Sequence, residues 1–295
     1  MNEMALIWPD LTGHTGIEIF DQPIPIGSDS HRKLFCRTLI ETFDPYRPAV
    51  IDWPKLDDAS RERLVSLPIW DIAVQTENRA GANVSAYAAR IGEPLLRKSI
   101  ELMGFEERRH RHVLAHMVTA YGITLQPEPA YAGPRDPEWA FLVTGYSECI
   151  DSFFAFGLFE VAKRSGFFPA ELVDTFEPVI REESRHILFF VNWLAWHRQN
   201  LPLWRRGWFE LKLLAVTAYV IWERIGIATG MSRKKAAQFT VIGGNQLGAP
   251  ALRPADFIDI CLAENHRRMK DYDQRLLRPT TMPAMVKFLR RWLRK

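Results

Sequence analysis

Two five-residue runs in this chain share one pattern: Glu106-Glu107-Arg108-Arg109-His110 and Glu182-Glu183-Ser184-Arg185-His186. Both read Glu-Glu-x-Arg-His, and each contains Glu-x-x-His. On a helix, residues three apart lie on one face about one turn apart, so this carboxylate and imidazole can grip one metal ion. A single Glu-x-x-His carries little weight, because 20 glutamates and 8 histidines in 295 residues produce about half a match by chance. The specificity comes from the shared pattern, from the long helical segments around both runs, and from a glutamate one helix earlier in each case. Those partners are Glu77, 30 residues before Glu107, and Glu148, 35 residues before Glu183. Mixed carboxylate and imidazole donors with open positions suit iron or manganese.

The elements that must position these residues follow from punctuation and periodicity. Prolines and glycines delimit helices over about 68–91, 94–121, 138–165 and within 170–199, with Pro178 kinking the last or opening its main part. Further helices are expected at about 203–228, 232–241, 254–276 and 282–294. In an antiparallel hairpin of two long helices, separations of 30 to 35 residues bring two positions to one level. Glu77 then meets Glu107, Glu148 meets Glu183, and two packed hairpins surround one point with four carboxylates and two imidazoles. Each ligand also lies on an apolar stripe, with Val74 and Val84 beside Glu77 and Ile180 and Phe190 beside Glu183. Lone carboxylates facing a core are costly unless paired or metal-bound. Glu160 is the rival on the third helix, but it sits roughly 18 Å further along than Glu148.

The neighbours read differently. Glu106 and Glu182 are rotated about 100° from the ligands and are expected to pair with arginines. Arg109 and Arg185 are either second partners of the site or surface charges. Asp151, one turn after Glu148, either hydrogen-bonds a ligand histidine or makes a local polar contact. His112 and His116 point away from the ligand face and are read as non-ligands.

This arrangement resembles the ferritin-like carboxylate-bridged di-iron superfamily, whose pattern is Glu, Glu-x-x-His, Glu, Glu-x-x-His on four helices. The resemblance maps onto Glu77, Glu107, His110, Glu148, Glu183 and His186 and covers about residues 66–200. It implies an all-α, ferritin-like four-helix bundle holding two iron ions, with manganese or a mixed pair as the variant. The activity it implies is oxidation or oxygenation by O2 of a small organic or carrier-bound substrate, with an electron donor. The alternative is iron handling, as ferroxidase or in peroxide detoxification, but the chain is long and lacks rubredoxin-like cysteines. The Glu-Glu-x-Arg-His phrase looks most like the N-oxygenase branch. That branch has a further histidine one turn before its last Glu-x-x-His, where this chain has Val179.

Residues 1–60 are proline-rich and read as an irregular N-terminal arm, with Ile17 to Phe20 as a short strand. Residues 61–200 form the di-metal core and 201–295 add helices to it, in a single domain. A hydrophobic fraction of 47% supports a sizeable core, so a metal here serves chemistry rather than folding. A net charge of +3 gives no basis for nucleic-acid binding. Cys36, Cys149 and Cys261 form no framework, which points to a reducing cytoplasm. Neither a signal peptide nor a transmembrane segment is expected, and a homodimer is compatible with the pattern. The basic C-terminal run, with Lys287, Arg290 and Arg291 among Met285, Phe288 and Leu289, is read as an amphipathic helix docked on the bundle in preference to a membrane-surface helix.

Overall fold

The computed structural model describes residues 8–9, 23–67, 69–228 and 252–293. Among them are helices and loops but no strand. The strand expected at 17–20 and the helix expected at 232–241 lie outside the described residues. The helices are α1 (Asp29–Glu41), α2 (Asp58–Ser66), α3 (Trp70–Ala88), α4 (Pro94–Ala120), α5 (Pro137–Ser165), α6 (Ala170–Thr175), α7 (Glu177–Asn200), α8 (Leu203–Ala228), α9 (Pro254–Met269) and α10 (Thr281–Leu293).

Local chemistry sets the boundaries. Pro94 and Pro137 open α4 and α5, where a missing N–H costs nothing. The Glu93 and Asp136 side chains cap those helices by accepting from Leu96 N and Trp139 N. Gly166, at φ 62°, ends α5 in the left-handed conformation that glycine adopts without penalty. Pro178 sits in the first turn of α7, so it opens the helix instead of kinking it.

Side-chain pairings give the helix directions. Gly81 and Ser85 of α3 meet Gly104 of α4, while Glu77 lies near His110, so these two helices are antiparallel. A Cβ at Gly104 would come within 2.6 Å of Ser85 Oγ, so the close approach of α3 and α4 requires glycine there. Tyr87 stacks on Phe141 at 4.5 Å between ring centroids, and Asn83 donates to Thr144, so α3 and α5 are also antiparallel. Gly145 faces Phe190 while Ser152 reaches Glu183, which makes α5 and α7 antiparallel. Helices α4 and α5 therefore run the same way, and residues 121–136 must cross the length of the bundle between them. They climb α3 as they do so: Gln126 N donates to Asp71, Asn78 to Glu128, and Tyr131 to Asn83.

Two expectations are corrected. The arm is not irregular throughout, because α1 lies inside it and buries Phe35, Cys36, Leu39 and Ile40 against α4 and α7. That face has ordinary helical spacing, obscured in sequence by prolines on both sides. Helix α9 stops at Met269 instead of continuing to 276. There Arg278 donates to the carbonyls of Tyr272, Asp273 and Leu276 and holds a turn. Outside the four-helix core, α8 and α9 pack on α5, and α10 packs on α9 and α5.

One buried polar residue ties three segments together. The Asn192 Oδ1 accepts from Leu277 N at 2.8 Å and lies 2.9 Å from His31 Nε2, and its Nδ2 donates to the carbonyls of Leu188 and Leu277. Asn192→Ala would strand these groups in the core, and we expect it to destabilise the fold by about 3 kcal/mol. A urea midpoint unchanged from the parent would refute this role.

Candidate metal centre

The site is built on α4 and α7, which run antiparallel so that the two Glu-Glu-x-Arg-His runs face each other in opposite directions. Each glutamate–histidine pair lies on one face of its helix, as the three-residue spacing requires. Glu77 enters from α3 and Glu148 from α5. One ligand atom from each of Glu77, Glu107, His110 and Glu183 lies within 4.8 Å of the others, and the same holds for Glu107, Glu148 and His186. The structure thus brings together all six residues expected from the sequence, as two clusters that share Glu107. Glu160 is elsewhere, 2.7 Å from Arg164, and His112 and His116 belong to neither cluster.

Within the clusters the imidazoles present Nδ1. His110 Nδ1 is 3.2 Å from Glu183 and 3.5 Å from Glu77, and His186 Nδ1 is 2.8 Å from Glu107. None of these approaches has hydrogen-bond geometry. Both Nδ1 atoms, Glu107 Oε1 and both oxygens of Glu148 are buried without a hydrogen-bond partner. Buried polar atoms normally find partners. A set of unpartnered donor atoms converging on one space is what a metal pair would satisfy, so the residues fit the metals that the pattern implies.

The opposite face of each imidazole is anchored across the helix pair. His110 Nε2 lies 2.8 Å from Glu182, and His186 Nε2 lies 2.8 Å from Glu106. Each of these glutamates also takes the arginine of the opposite run, Arg185 for Glu106 at 2.8 Å and Arg109 for Glu182. Glu106, Glu182, Arg109 and Arg185 are all buried, so the arginines are partners of the site and not surface charges. Their other hydrogen bonds go to the N-terminal arm, while Arg109 Nε is buried without a partner. Arg109 donates to the carbonyls of Asp44 and Tyr46, and Arg185 to Leu39 O and Thr42 Oγ1. Tyr46 adds its hydroxyl to Glu182, and Ser152 donates to Glu183 at 3.1 Å.

Asp151 does not meet a ligand histidine. It pairs with Arg224 on α8, because it faces the outer side of α5. Sequence reasoning placed Glu106 and Glu182 with arginines but missed that they also hold the histidines. The arm carbonyls were invisible, since backbone acceptors do not depend on residue identity.

The charges respond to this enclosure. Burial pushes the Glu77 carboxyl up to about 8, aided by Glu107 and Glu183, and pushes Glu148 well above the usual range beside Glu107. Burial also works to raise Glu106 and Glu183, but it is outweighed. Arg185 and His186 hold Glu106 down at about 2, and His110, His186 and Ser152 keep Glu183 low. Burial alone would lower both histidines, yet Glu182 and Glu183 raise His110, and Glu106 and Glu107 raise His186. Glu77 and Glu183 keep 22% and 14% of their side-chain surface exposed, against 3% or less for Glu107, His110 and His186.

No protein-family model matches this chain, and no curated protein or solved structure matches it significantly. The reading of the site therefore rests on its own geometry.

Two outcomes follow. In the metal-free cluster both histidines, Glu77 and Glu148 are all shifted toward their protonated forms, and metal binding must displace those protons. We expect release of about two protons per divalent ion and affinity that rises with pH. Calorimetry in buffers of differing ionisation enthalpy measures the release, and pH-independent affinity would count against the cluster. Second, Glu106→Gln touches no ligand atom, but it removes the anchor of His186 Nε2 and should weaken metal binding by about tenfold to a hundredfold. Equilibrium competition with a chelator reads that change, and parent-like affinity would deny the anchoring.

Proposed function

We propose that this chain is a ferritin-like di-iron protein that uses O2 to oxidise an organic substrate. The observation that carries the reading is the pair of carboxylate–histidine clusters sharing Glu107, with each histidine's second nitrogen anchored to the opposite helix. Glu77, Glu107, His110 and Glu183 would hold one iron, and Glu107, Glu148 and His186 the other, with Glu107 common to both. Two ferrous ions so held supply electrons to reduce O2, which the side chains of a protein do not do.

The chain's own contribution is geometric and electrostatic. The cross-linked pairs Glu106–His186 and Glu182–His110 fix which imidazole nitrogen faces inward. Burial of Glu107, His110 and His186 on α4 and α7 keeps water from that part of the site, and Glu77 and Glu183 are its most exposed members. The apolar group of Phe156, Ile180 and Ile187, with Cys149 and Phe159 against it, supports an apolar substrate next to this helix pair.

Anaerobic loading followed by exposure to O2 tests the reading. We expect about two ferrous ions per chain and rapid O2 consumption, with Glu107→Ala and Glu183→Ala each slowing consumption at least about a hundredfold. Mössbauer spectra of the loaded protein count the iron sites. Failure to bind iron, or consumption indifferent to both substitutions, would sink the proposal. A cage-sized oligomer that accumulates ferric mineral would replace it with iron storage.

A further inference from the structure

Helix α8 has an unusual outer surface. Its bundle-facing stripe is Phe209, Leu213, Val216 and Val220, all buried. Every charged residue of the helix, namely Arg205, Arg206, Glu210, Lys212, Glu223 and Arg224, falls by helical rotation into two seams flanking that stripe. The outward arc between the seams, about 160° wide, carries no charge from Leu203 to Ile225, a length of roughly 33 Å. It presents Trp204, Trp208, Leu211, Leu214, Trp222 and Ile225, each between 51% and 75% exposed. With their neighbours these side chains expose on the order of 1,000 Å² of apolar surface, beyond the roughly 300–600 Å² of the largest patch on a typical monomer. A helix apolar on all sides is normally covered on all sides.

A second feature lies on the same helix, α5. Helix α10, which like α8 packs on α5, buries only part of its apolar arc through Met282 and Val286. Met285, Phe288 and Leu289 stay exposed, and Lys287 and Arg291 occupy the opposite, exposed face. The charge of the chain is also divided. Residues 202–295 hold 18 Lys and Arg against 7 Asp and Glu, and residues 1–201 hold 20 against 28. A net charge of +3 conceals a C-terminal third at +11 and a remainder at −8.

From these observations we propose that the α8–α10 face docks on the surface of an anionic phospholipid bilayer. The apolar arc of α8, with tryptophans near both ends, enters the interfacial region, and the exposed Lys287 and Arg291 of α10 are offered to the headgroups. Charge complementarity selects this occupant over a second copy of the chain. A two-fold contact through α8 would bring two +11 segments together, whereas an anionic surface attracts them. The width of the arc agrees, since paired helices need only a narrow seam. Among the described residues no helix is long and apolar enough to cross a membrane, so this association is peripheral. It does not depend on the metal reading.

The test is flotation of the full chain with vesicles of phosphatidylcholine alone or with a third phosphatidylglycerol, read together with tryptophan emission and light scattering. We expect partitioning onto the anionic vesicles at least about tenfold above that onto neutral ones, a blue-shifted emission, and loss of binding in high salt. The variant Trp204→Ser/Trp208→Ser/Trp222→Ser and the independent variant Lys287→Glu/Arg291→Glu should each lower partitioning at least about tenfold. The second variant leaves α8 intact and keeps the test valid should the first fail to fold. Absence of binding to anionic vesicles, or binding unchanged in the charge variant, overturns the proposal. So does a solution dimer that the tryptophan variant converts to a monomer, which would assign the face to a second copy.

Discussion

The cross-brace between the two Glu-Glu-x-Arg-His runs is the constraint on which the rest of the structure depends. The first glutamate of each run grips the arginine and the histidine of the other, so α4 and α7 are tied at two levels by buried, charge-assisted contacts. Such contacts are strong only where geometry is good and every donor is satisfied, because uncompensated buried charge is costly. The surrounding architecture meets that requirement for every nitrogen of Arg109 and Arg185 except Arg109 Nε, which is buried without a hydrogen-bond partner. The α1 helix and the segment after it lie over α4 and α7 and supply the carbonyls of Leu39, Asp44 and Tyr46 that accept from the two guanidinium groups. Helices α3 and α5 close the other side and bring Glu77 and Glu148. The antiparallel relation of α4 and α7 is itself a consequence, since two identical runs brace each other reciprocally only when they run in opposite directions.

The repeated phrase therefore encodes more than ligands. Its second glutamate and its histidine look inward, and its first glutamate and arginine look across to the partner helix. The rotation of about 100° between adjacent residues separates the two jobs. The same division explains why each histidine uses Nδ1 toward the cluster: Nε2 is already committed to a glutamate from the other run.

Much of this was legible in the sequence, and the remainder was hidden for definite reasons. Helix ends followed from Pro94, Pro137, Gly122 and Gly166, whose backbone preferences are local. The six clustered residues followed from spacing, and Glu148 was found through hairpin length alone. The role of Glu106 was half visible: rotation removed it from the ligand face, but its partners His186 and Arg185 lie 80 and 79 residues away. Asp151 stayed open between a ligand histidine and a local polar contact for a similar reason, because its partner Arg224 sits on α8, outside the span that the motif covers. Helix α1 was obscured by flanking prolines. Its carbonyl contacts could not be read at all, since any residue type would offer the same acceptor.

Charge balance explains how one scaffold accommodates this site. Six carboxylates, Glu77, Glu106, Glu107, Glu148, Glu182 and Glu183, stand against Arg109 and Arg185 in one buried region. With both histidines protonated and protons on Glu77 and Glu148, the region is neutral without metal, and the direction of each shift agrees with that state. With neutral histidines and all six carboxylates ionised, two divalent cations restore neutrality equally well. Two metal ions and four protons are thus interchangeable occupants of the same electrostatic space. The fold need not be assembled by its metals, in keeping with a chain whose apolar core is large enough to fold unaided. On the proposed function, metals here would be held for their reactivity, at a site whose charge is set in advance by the brace between α4 and α7.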